Sequence, residues 1–302
     1  MVANLGYTKP LFILAFDHRS SFIRDLLHIS GELGNEDSHK ICDLKHLIYQ
    51  GFVKAIESNL VPKERAAILV DEQFCDKILH EAKHAGYLVC LSVEKSGQTE
   101  FTLEYGKEFD QHIEKYQPTF IKALIRYNPR GDQESNLRQQ KKLKEFSDWC
   151  HKSGYKFLIE TLVPATAEQL AQAGDINKYD QEIRPSLVVK MIAELQTAGV
   201  EPDVWKIEGM TKSDHYQTTI KQIKAGGRDN VNLIILGRGE NPQNMERWLM
   251  AGKGITGVIG FAIGRTIFLE SLKQYLNNKL TDQQAIDSIA DQYHYFYNIF
   301  NS

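Results

Sequence analysis

Eight short apolar segments, separated by helical patterns, restrict the fold of this chain more than any other feature. The segments lie at residues 11–16, 66–70, 88–93, 120–126, 156–160, 203–208, 231–236 and 255–261. Strands that alternate with helices predict βαβ units and a parallel sheet. Eight such units predict an α/β fold, a single (β/α)8 (TIM) barrel over residues 1–302 with an additional C-terminal helix at 282–300. An open, doubly wound sheet is the alternative, although no Gly-x-Gly-x-x-Gly follows the first segment.

The connections between these segments have the apolar spacing of amphipathic helices. The predicted helices are 41–57, 74–85, 103–116, 133–152, 185–197, 213–225, 242–251 and 265–276, with a short helix and loop at 165–179. Residues 20–40 show no clear pattern and are either a lid or a long first connection. The aromatic residues at 293–300 are either a packing stripe or a contact between subunits, which leaves a homo-oligomer open.

Charge and cysteine content narrow the class of protein. The formal net charge is −3 and the pI about 6.4, so we expect neither a nucleic-acid nor a membrane partner. The four cysteines are widely spaced, without a CxxC pair, which is typical of reduced thiols in a cytoplasmic protein. Residues 1–9 show no leader pattern, and no segment approaches the ~18 apolar residues of a membrane span.

Charged residues follow most of the predicted strands. In barrel enzymes the active site lies at the C-terminal ends of the strands. The charged residues at these ends are Asp17, His18, Asp71, Glu72, Glu94, Lys122, Arg126, Glu160, Lys206, Glu208, Arg238 and Arg265. Taken singly, most of them are better explained by a surface position or a structural ion pair. Together they predict a polar pocket at one mouth of the barrel.

The sixth strand carries a lysine on its packed face. Alternate side chains share a face of a strand, so Val204, Lys206 and Glu208 point one way and Trp205 and Ile207 the other. Burial in an apolar setting disfavours a charged amine, and a Schiff-base nucleophile must be neutral. This stretch alone is equally consistent with a structural salt bridge.

Two neighbouring strands strengthen the catalytic interpretation. Lys122 lies inside the fourth strand and Glu160 in the fifth, beside the sixth. If all three side chains point inward, Glu160 lies between Lys122 and Lys206 and can carry protons during imine formation. An ion-pair layer that only fills the barrel is the alternative. We favour catalysis because apolar layers fill most barrel interiors.

Two glycine–arginine motifs follow the last two strands. The groups Gly237-Arg238-Gly239 and Gly264-Arg265 stand where barrels commonly bind phosphate with loop amides and a helix N-terminus. Arginine grips phosphate through two parallel hydrogen bonds. The alternative is a pair of tight turns with surface arginines.

Other signals are weaker. His18 could bind a sugar hydroxyl or a metal ion, and it is equally well explained as a structural histidine. A divalent ion at Asp71, Glu72 and Glu94 is disfavoured, because the lysines supply a route without metal. We therefore predict no metal and no cofactor.

The segments 14–20, 121–129 and 236–242, together with Asp17, Lys122, Glu160, Lys206 and Glu208, resemble a known family. They are similar to class I tagatose-bisphosphate aldolases and their sulfosugar-phosphate relatives. The nearer likeness is to the domain fused to 5-dehydro-2-deoxygluconokinases of inositol catabolism. It covers nearly the whole chain. His18-Arg19 replaces the more usual Gln-Arg, and Gly209-Met210 stands where a proline-containing loop is common.

The resemblance implies residue roles. Lys206 would form the Schiff base and Glu160 would transfer protons, while Asp17 and Lys122 would position hydroxyls and tune the lysine. The phosphate and the rest of the substrate would be bound by Gly237, Arg238, Gly239, Gly264, Arg265, Arg126 and Glu208.

The implied function is that of a metal-independent class I aldolase (an aldehyde-lyase). It would cleave a phosphorylated keto sugar or keto sugar acid to dihydroxyacetone phosphate and an aldehyde. The resemblance suggests 6-phospho-5-dehydro-2-deoxy-D-gluconate, which would release malonate semialdehyde. Two alternatives remain: a sugar-phosphate isomerase or epimerase with Glu160 as base, and a non-catalytic phosphosugar-binding module.

Overall fold

Eight parallel strands close into a barrel in the computed structural model, which describes residues 5–27, 31, 33–239 and 241–302. The strand order is sequential, from the first strand around to the eighth and back to the first. The strands are β1 (Leu11–Ala15), β2 (Ala66–Asp71), β3 (Leu88–Ser92), β4 (Phe120–Arg126), β5 (Lys156–Leu162), β6 (Val204–Glu208), β7 (Asn232–Leu236) and β8 (Val258–Ile263). The predicted (β/α)8 barrel is confirmed, and the open sheet is wrong because β8 pairs with β1.

Ten helices of seven or more residues surround the barrel in the described part of the chain. They are α1 (Asn35–Glu57), α2 (Glu72–His84), α3 (Phe109–Tyr116), α4 (Gln133–Lys152), α5 (Ala167–Ala173), α6 (Arg184–Thr197), α7 (Ser213–Ile223), α8 (Pro242–Gly252), α9 (Arg265–Leu276) and α10 (Asp282–Asn301). The additional C-terminal helix α10 packs closely on α1, where a Cβ on Gly51 would lie 2.6 Å from the side chain of Ile289. None of the described helices is long and apolar enough to cross a membrane.

Two apolar layers show which way each strand residue points. The inner layer is formed by Leu11, Ile13, Ala15, Ala67, Leu69, Cys90, Phe120, Leu158, Val204, Ile234 and Ala262. The outer layer, between strands and helices, contains Trp205 and Ile207. The predicted alternation along β6 is therefore confirmed, and Lys206 is directed into the barrel. Because its side chain is fully enclosed, the surrounding strands fix its position.

One predicted helix begins too early. At 103–116 the structure has a bridge between Leu103 and Glu94, a short turn at Gly106–Glu108, and only then α3. The backbone amide of Glu104 donates to Val93 O, and that of Lys95 donates to Thr102 O. Residues 94–104 therefore fold back as a hairpin beside the barrel mouth. The apolar spacing alone did not reveal this pairing.

Two further boundaries differ. The eighth strand begins at Val258, three residues later than predicted, because Gly254 and Gly257 take positive φ values of 75° and 103° and turn the chain. In the segment 20–40, helical turns occupy Ser20–Phe22 and Ile23–Leu27, and α1 already begins at Asn35. The structure does not describe residues 28–30 and 32, so the possibility that the segment 20–40 forms a lid lies partly outside the described residues. Residues 1–4 and 240 also lie outside them.

Candidate active site

The charged cluster inside the barrel centres on Lys122. Its Nζ lies 2.8 Å from Asp17 Oδ2, 2.7 Å from Glu94 Oε1 and 2.9 Å from Glu160 Oε2. Lys122 and Glu160 lie within β4 and β5, whereas Asp17 and Glu94 follow the ends of β1 and β3, so the arrangement of the strands in the barrel brings the four groups together. Lys122 is 1% exposed, which means that the carboxylates replace its hydration almost completely.

Lys206 joins this cluster through Glu160. The two residues are direct neighbours in the pairing of β5 with β6. Lys206 Nζ lies 2.9 Å from Glu160 Oε2, the same oxygen that contacts Lys122. Glu160 thus lies between Lys122 and Lys206, as the alternation along the strands predicted, and a single carboxylate oxygen contacts both amines. A proton that leaves Lys206 has an acceptor within hydrogen-bond distance.

The electrostatics of the cluster favour its ionised form. Burial alone would raise the pKa of Glu160, but Lys122 and Lys206 hold it below the usual value. The same balance, with the same two lysines, places the pKa of Asp17 well below its ordinary range. Burial would lower the pKa of Lys122, but Asp17, Glu160 and Glu94 raise it well above its ordinary value. At neutral pH Lys122 is therefore a fixed cation that keeps Asp17 and Glu160 ionised.

The ends of β7 and β8 form a second, arginine-containing part of the site. Gly239 has φ +71°, and a Cβ there would lie 2.5 Å from Arg265 Nη2. Arg265 contacts Asp25 at 3.2 Å and donates to Arg238 O at 3.2 Å. Gly264 immediately precedes the first residue of α9. The glycines let the backbone and the guanidinium approach each other, and Arg265 stands at the start of α9, the end of a helix that favours an anion.

Arg238 and Glu208 support each other. Arg238 Nη1 lies 2.9 Å from Glu208 Oε1, and Arg238 Nη2 lies 2.6 Å from Asp180 Oδ2. Glu208 also accepts a hydrogen bond from Val163 N at 3.0 Å. Glu208 therefore forms a structural ion pair with Arg238.

A cavity of about 310 Å³ opens between the two parts of the site. The predicted site residues that line it are Asp17, Lys122, Arg126, Glu160, Lys206, Arg238, Gly239, Gly264 and Arg265. Gly237 and Glu208, which were also predicted, are not part of its lining. A larger groove of about 870 Å³ lies outside the barrel, between α1 and the α9–α10 connection, and none of the predicted site residues lines it.

The structure separates the acidic residues that were considered together for a metal. Asp71 forms a buried ion pair with Lys45 and caps α2 by accepting from Phe74 N. Glu72 contacts His112 at 2.9 Å. Neither lines the cavity, whereas Glu94 does. Within residues 5–27, 31, 33–239 and 241–302, no group of three or more His, Cys, Asp or Glu side chains is arranged to hold a metal ion.

Sequence reasoning did not assign Glu94 to the lysine cluster. Its carboxylate accepts from Lys122, from Ser92 Oγ at 2.9 Å and from Leu124 N at 3.3 Å. The signal was present, because Glu94 stands at the end of the strand beside the one that carries Lys122. The side chain reaches over the strand end, which no periodicity predicts.

The fold and this site define a closed (β/α)8 barrel with buried lysines and carboxylates at its C-terminal mouth. By sequence, the chain belongs to the DUF2090 family, described as an uncharacterized protein conserved in bacteria, whose model matches residues 4–302. No curated protein matches the sequence.

Several solved structures have a similar fold. A Schiff-base-forming fructose-1,6-bisphosphate aldolase matches with a TM-score of 0.56 at 12% identity, over 96% of this chain and 94% of its own. An archaeal fructose-1,6-bisphosphate aldolase, with its catalytic lysine bound to the carbinolamine intermediate, has a TM-score of 0.57 at 12% identity over 97% and 94%. A fructose-bisphosphate aldolase from Slackia heliotrinireducens has a TM-score of 0.55 at 11% identity over 94% and 86%. Because the identities are only 11–12%, these matches show that the fold is shared and nothing further.

Proposed function

We propose that the protein is a class I aldolase that cleaves a phosphorylated keto sugar or keto sugar acid through a Schiff base on Lys206. The observation that carries this proposal is the position of Lys206 Nζ, enclosed in the barrel and 2.9 Å from Glu160 Oε2. An enclosed amine beside a carboxylate has both requirements of imine chemistry, a nucleophile and a proton carrier. The similarity in fold to Schiff-base-forming aldolases supports the same reaction class.

Imine formation follows from the two groups. Lys206 passes a proton to Glu160, and its neutral amine attacks the ketone carbon to form a carbinolamine. Once Lys206 is neutral, Glu160 has lost one of the two cations that lower its pKa, so it holds the proton more firmly. Glu160 then gives that proton to the departing hydroxyl, which leaves as water, and the iminium forms.

Cleavage uses the iminium as electron sink. A carboxylate of the Lys122 cluster accepts the proton of the hydroxyl on the carbon that becomes the aldehyde. The carbon–carbon bond breaks, and its electron pair moves into the enamine. Protonation of the enamine carbon and hydrolysis of the resulting iminium release dihydroxyacetone phosphate and restore Lys206. Lys122 stays charged throughout and orients the carboxylates around it.

The arginine-containing part of the site fits the phosphate. Arg265, the first residue of α9, lines the cavity at the end of β8, next to Gly239. Backbone amides at a helix start and a guanidinium are the usual binding groups for a phosphate monoester. Arg238, fixed by Glu208 and Asp180, lines the same part of the cavity.

The opposite side of the cavity fits a second anionic group. Lys95 and Arg126 line it there, and neither forms an ion pair within the described part of the chain. Arg126 ends β4, which stands four strands from β8 in either direction around the barrel. A substrate with phosphate at one end and carboxylate at the other would satisfy both sides. This supports 6-phospho-5-dehydro-2-deoxy-D-gluconate as substrate, with malonate semialdehyde as the aldehyde product.

Borohydride trapping tests the proposal. Incubation with dihydroxyacetone phosphate and borohydride should attach the reduced adduct to Lys206, as located by mass spectrometry of peptides. Lys206→Met should abolish labelling while its circular dichroism spectrum stays that of the wild type. Absence of any adduct, together with loss of activity in chelator, would contradict the lysine mechanism.

The other functions predict different results in the same samples. Without an adduct, incorporation of solvent deuterium into a ketose phosphate would favour an isomerase or epimerase with Glu160 as base. Thermal stabilisation by sugar phosphates without adduct, exchange or cleavage would favour a non-catalytic binding module.

A further inference from the structure

His18 is a polar residue of the cavity whose ring has no hydrogen-bond partner among the described residues. Its Nδ1 is enclosed and unpaired. Its Nε2 is not enclosed in this way, and since His18 lines the cavity, Nε2 is the nitrogen that a bound molecule can reach. Buried polar groups in folded proteins nearly always have partners, so an unpaired one in a cavity wall calls for an explanation.

A second unpaired atom lies close by. Arg265 Nε is also enclosed and has no hydrogen-bond partner in the described part of the chain, and Arg265 lines the same cavity. A Cβ on Gly264, the residue before Arg265, would lie 2.9 Å from His18 Cε1. The histidine ring therefore packs directly on the loop that carries the arginine. His18 and Arg265 thus form adjoining parts of the cavity wall, where one ligand can contact both side chains.

The ring is held in place and is uncharged. Its plane meets the ring of Phe268 edge-on, at 69° with 6.3 Å between centroids. Burial lowers the pKa of His18 to about 4; Arg265 and Lys206 act in the same direction, against Asp17 and Glu160. At neutral pH the imidazole has one N–H donor and one lone pair. With Nδ1 enclosed and unpaired, the donor is best used from Nε2, towards the cavity.

We infer that His18 is a substrate-contacting residue whose Nε2–H donates a hydrogen bond to the phosphate of the bound ketose phosphate, beside Arg265. This rests on the proposed function, because it takes a phosphorylated ketone as the ligand. A neutral donor strengthens phosphate binding without adding a charge next to Lys206. The contact exists before and after imine formation, so its loss weakens binding and leaves the chemical step unchanged.

Calorimetric titration of dihydroxyacetone phosphate and of dihydroxyacetone, into wild type and variants, tests the inference. A hydrogen bond to a charged group is worth a factor of roughly 10 to 100 in affinity. His18→Leu should lose about that factor for dihydroxyacetone phosphate and change little for dihydroxyacetone. His18→Gln, whose amide places a donor near the position of Nε2, should recover most of the loss.

His215 provides a matched control. Its Nδ1 is likewise enclosed and unpaired, but it lies on α7 and does not line the cavity. His215→Leu should therefore leave both affinities unchanged. Equal affinity of wild type and His18→Leu for dihydroxyacetone phosphate would overturn the inference, as would an equal loss for both ketones. Borohydride labelling of wild type, measured in parallel, reports separately on the proposed function.

Discussion

Removal of the Lys122 ammonium is the most direct perturbation of the buried cluster. Each of its three carboxylate contacts, near 2.8 Å, corresponds to about 6 kcal/mol at an effective dielectric of 20. Desolvation of the charges cancels much of this attraction, and breaking a buried pair typically costs about 3–5 kcal/mol. Lys122→Met keeps a side chain of similar length but removes the ammonium, so that Lys206, which contacts Glu160, remains as the neighbouring lysine. We expect it to lower the free energy of unfolding by about 3–5 kcal/mol at pH 7.

The sign of the pH dependence follows from the carboxylates. In the wild type the folded-state pKa values of Asp17 and Glu160 are lowered, so their stabilisation is present above the unfolded-state values near 4 and is lost only at more acid pH. Without Lys122, burial dominates and raises these pKa values above those of the unfolded chain. The resulting destabilisation is largest at high pH and is relieved as the pH falls. The difference between the two proteins should therefore narrow from pH 7 to pH 5.

Urea denaturation followed by circular dichroism at pH 5, 6, 7 and 8 measures this difference. Lys77→Met is the matched control, because Lys77 pairs with Glu81 on the surface at 3.7 Å, and such pairs contribute about 0–1 kcal/mol. Equal midpoints for wild type and Lys122→Met at pH 7 would refute the reasoning. So would a difference that widens on acidification.

Three further predictions concern single groups. Glu160→Gln should slow borohydride-trapped imine formation about 10²–10⁴-fold in rapid-quench experiments, because the proton carrier is gone; an unchanged rate would exclude that role. Lys45→Met leaves Asp71 buried and unpaired, so urea denaturation should show a loss of about 3–5 kcal/mol, and a neutral result would contradict the ion pair. Gly239→Ala strains a φ of +71° and pushes a Cβ against Arg265, so steady-state kinetics should show a raised KM for the phosphorylated ketone. An equal rise for the unphosphorylated ketone would show that the effect is not on phosphate.

Much of the site was predictable because a strand has a period of two. Once β4, β5 and β6 were recognised, alternation placed Lys122, Glu160 and Lys206 on the inner face, and sequential strand order made them neighbours. Glycines and arginines after β7 and β8 were predictable for a similar reason, since barrel loops after these strands are close to one another.

The errors arose where a side chain or a backbone segment pairs with another segment of the chain. Asp71 follows its strand as Asp17 does, but it pairs with Lys45 of α1 and caps α2, away from the cavity. Leu103 has helical spacing with its successors, yet its backbone bridges to Glu94. Such pairings depend on the approach of segments that local periodicity does not describe.

The sequence by itself predicted eight strands that alternate with helices and placed Lys206 on the same strand face as Val204, because the hydrophobic period is a local property of the chain, and the pairing of β8 with β1 showed that the sheet is closed. Only the tertiary structure decided that one oxygen of Glu160 bridges Lys206 and Lys122, that Glu94 completes the cluster, and that the His18 ring has no hydrogen-bond partner among the described residues. These facts depend on distances of about 3 Å between residues far apart in sequence. Closure of the barrel sets those distances, and the charges within it determine which groups are ionised.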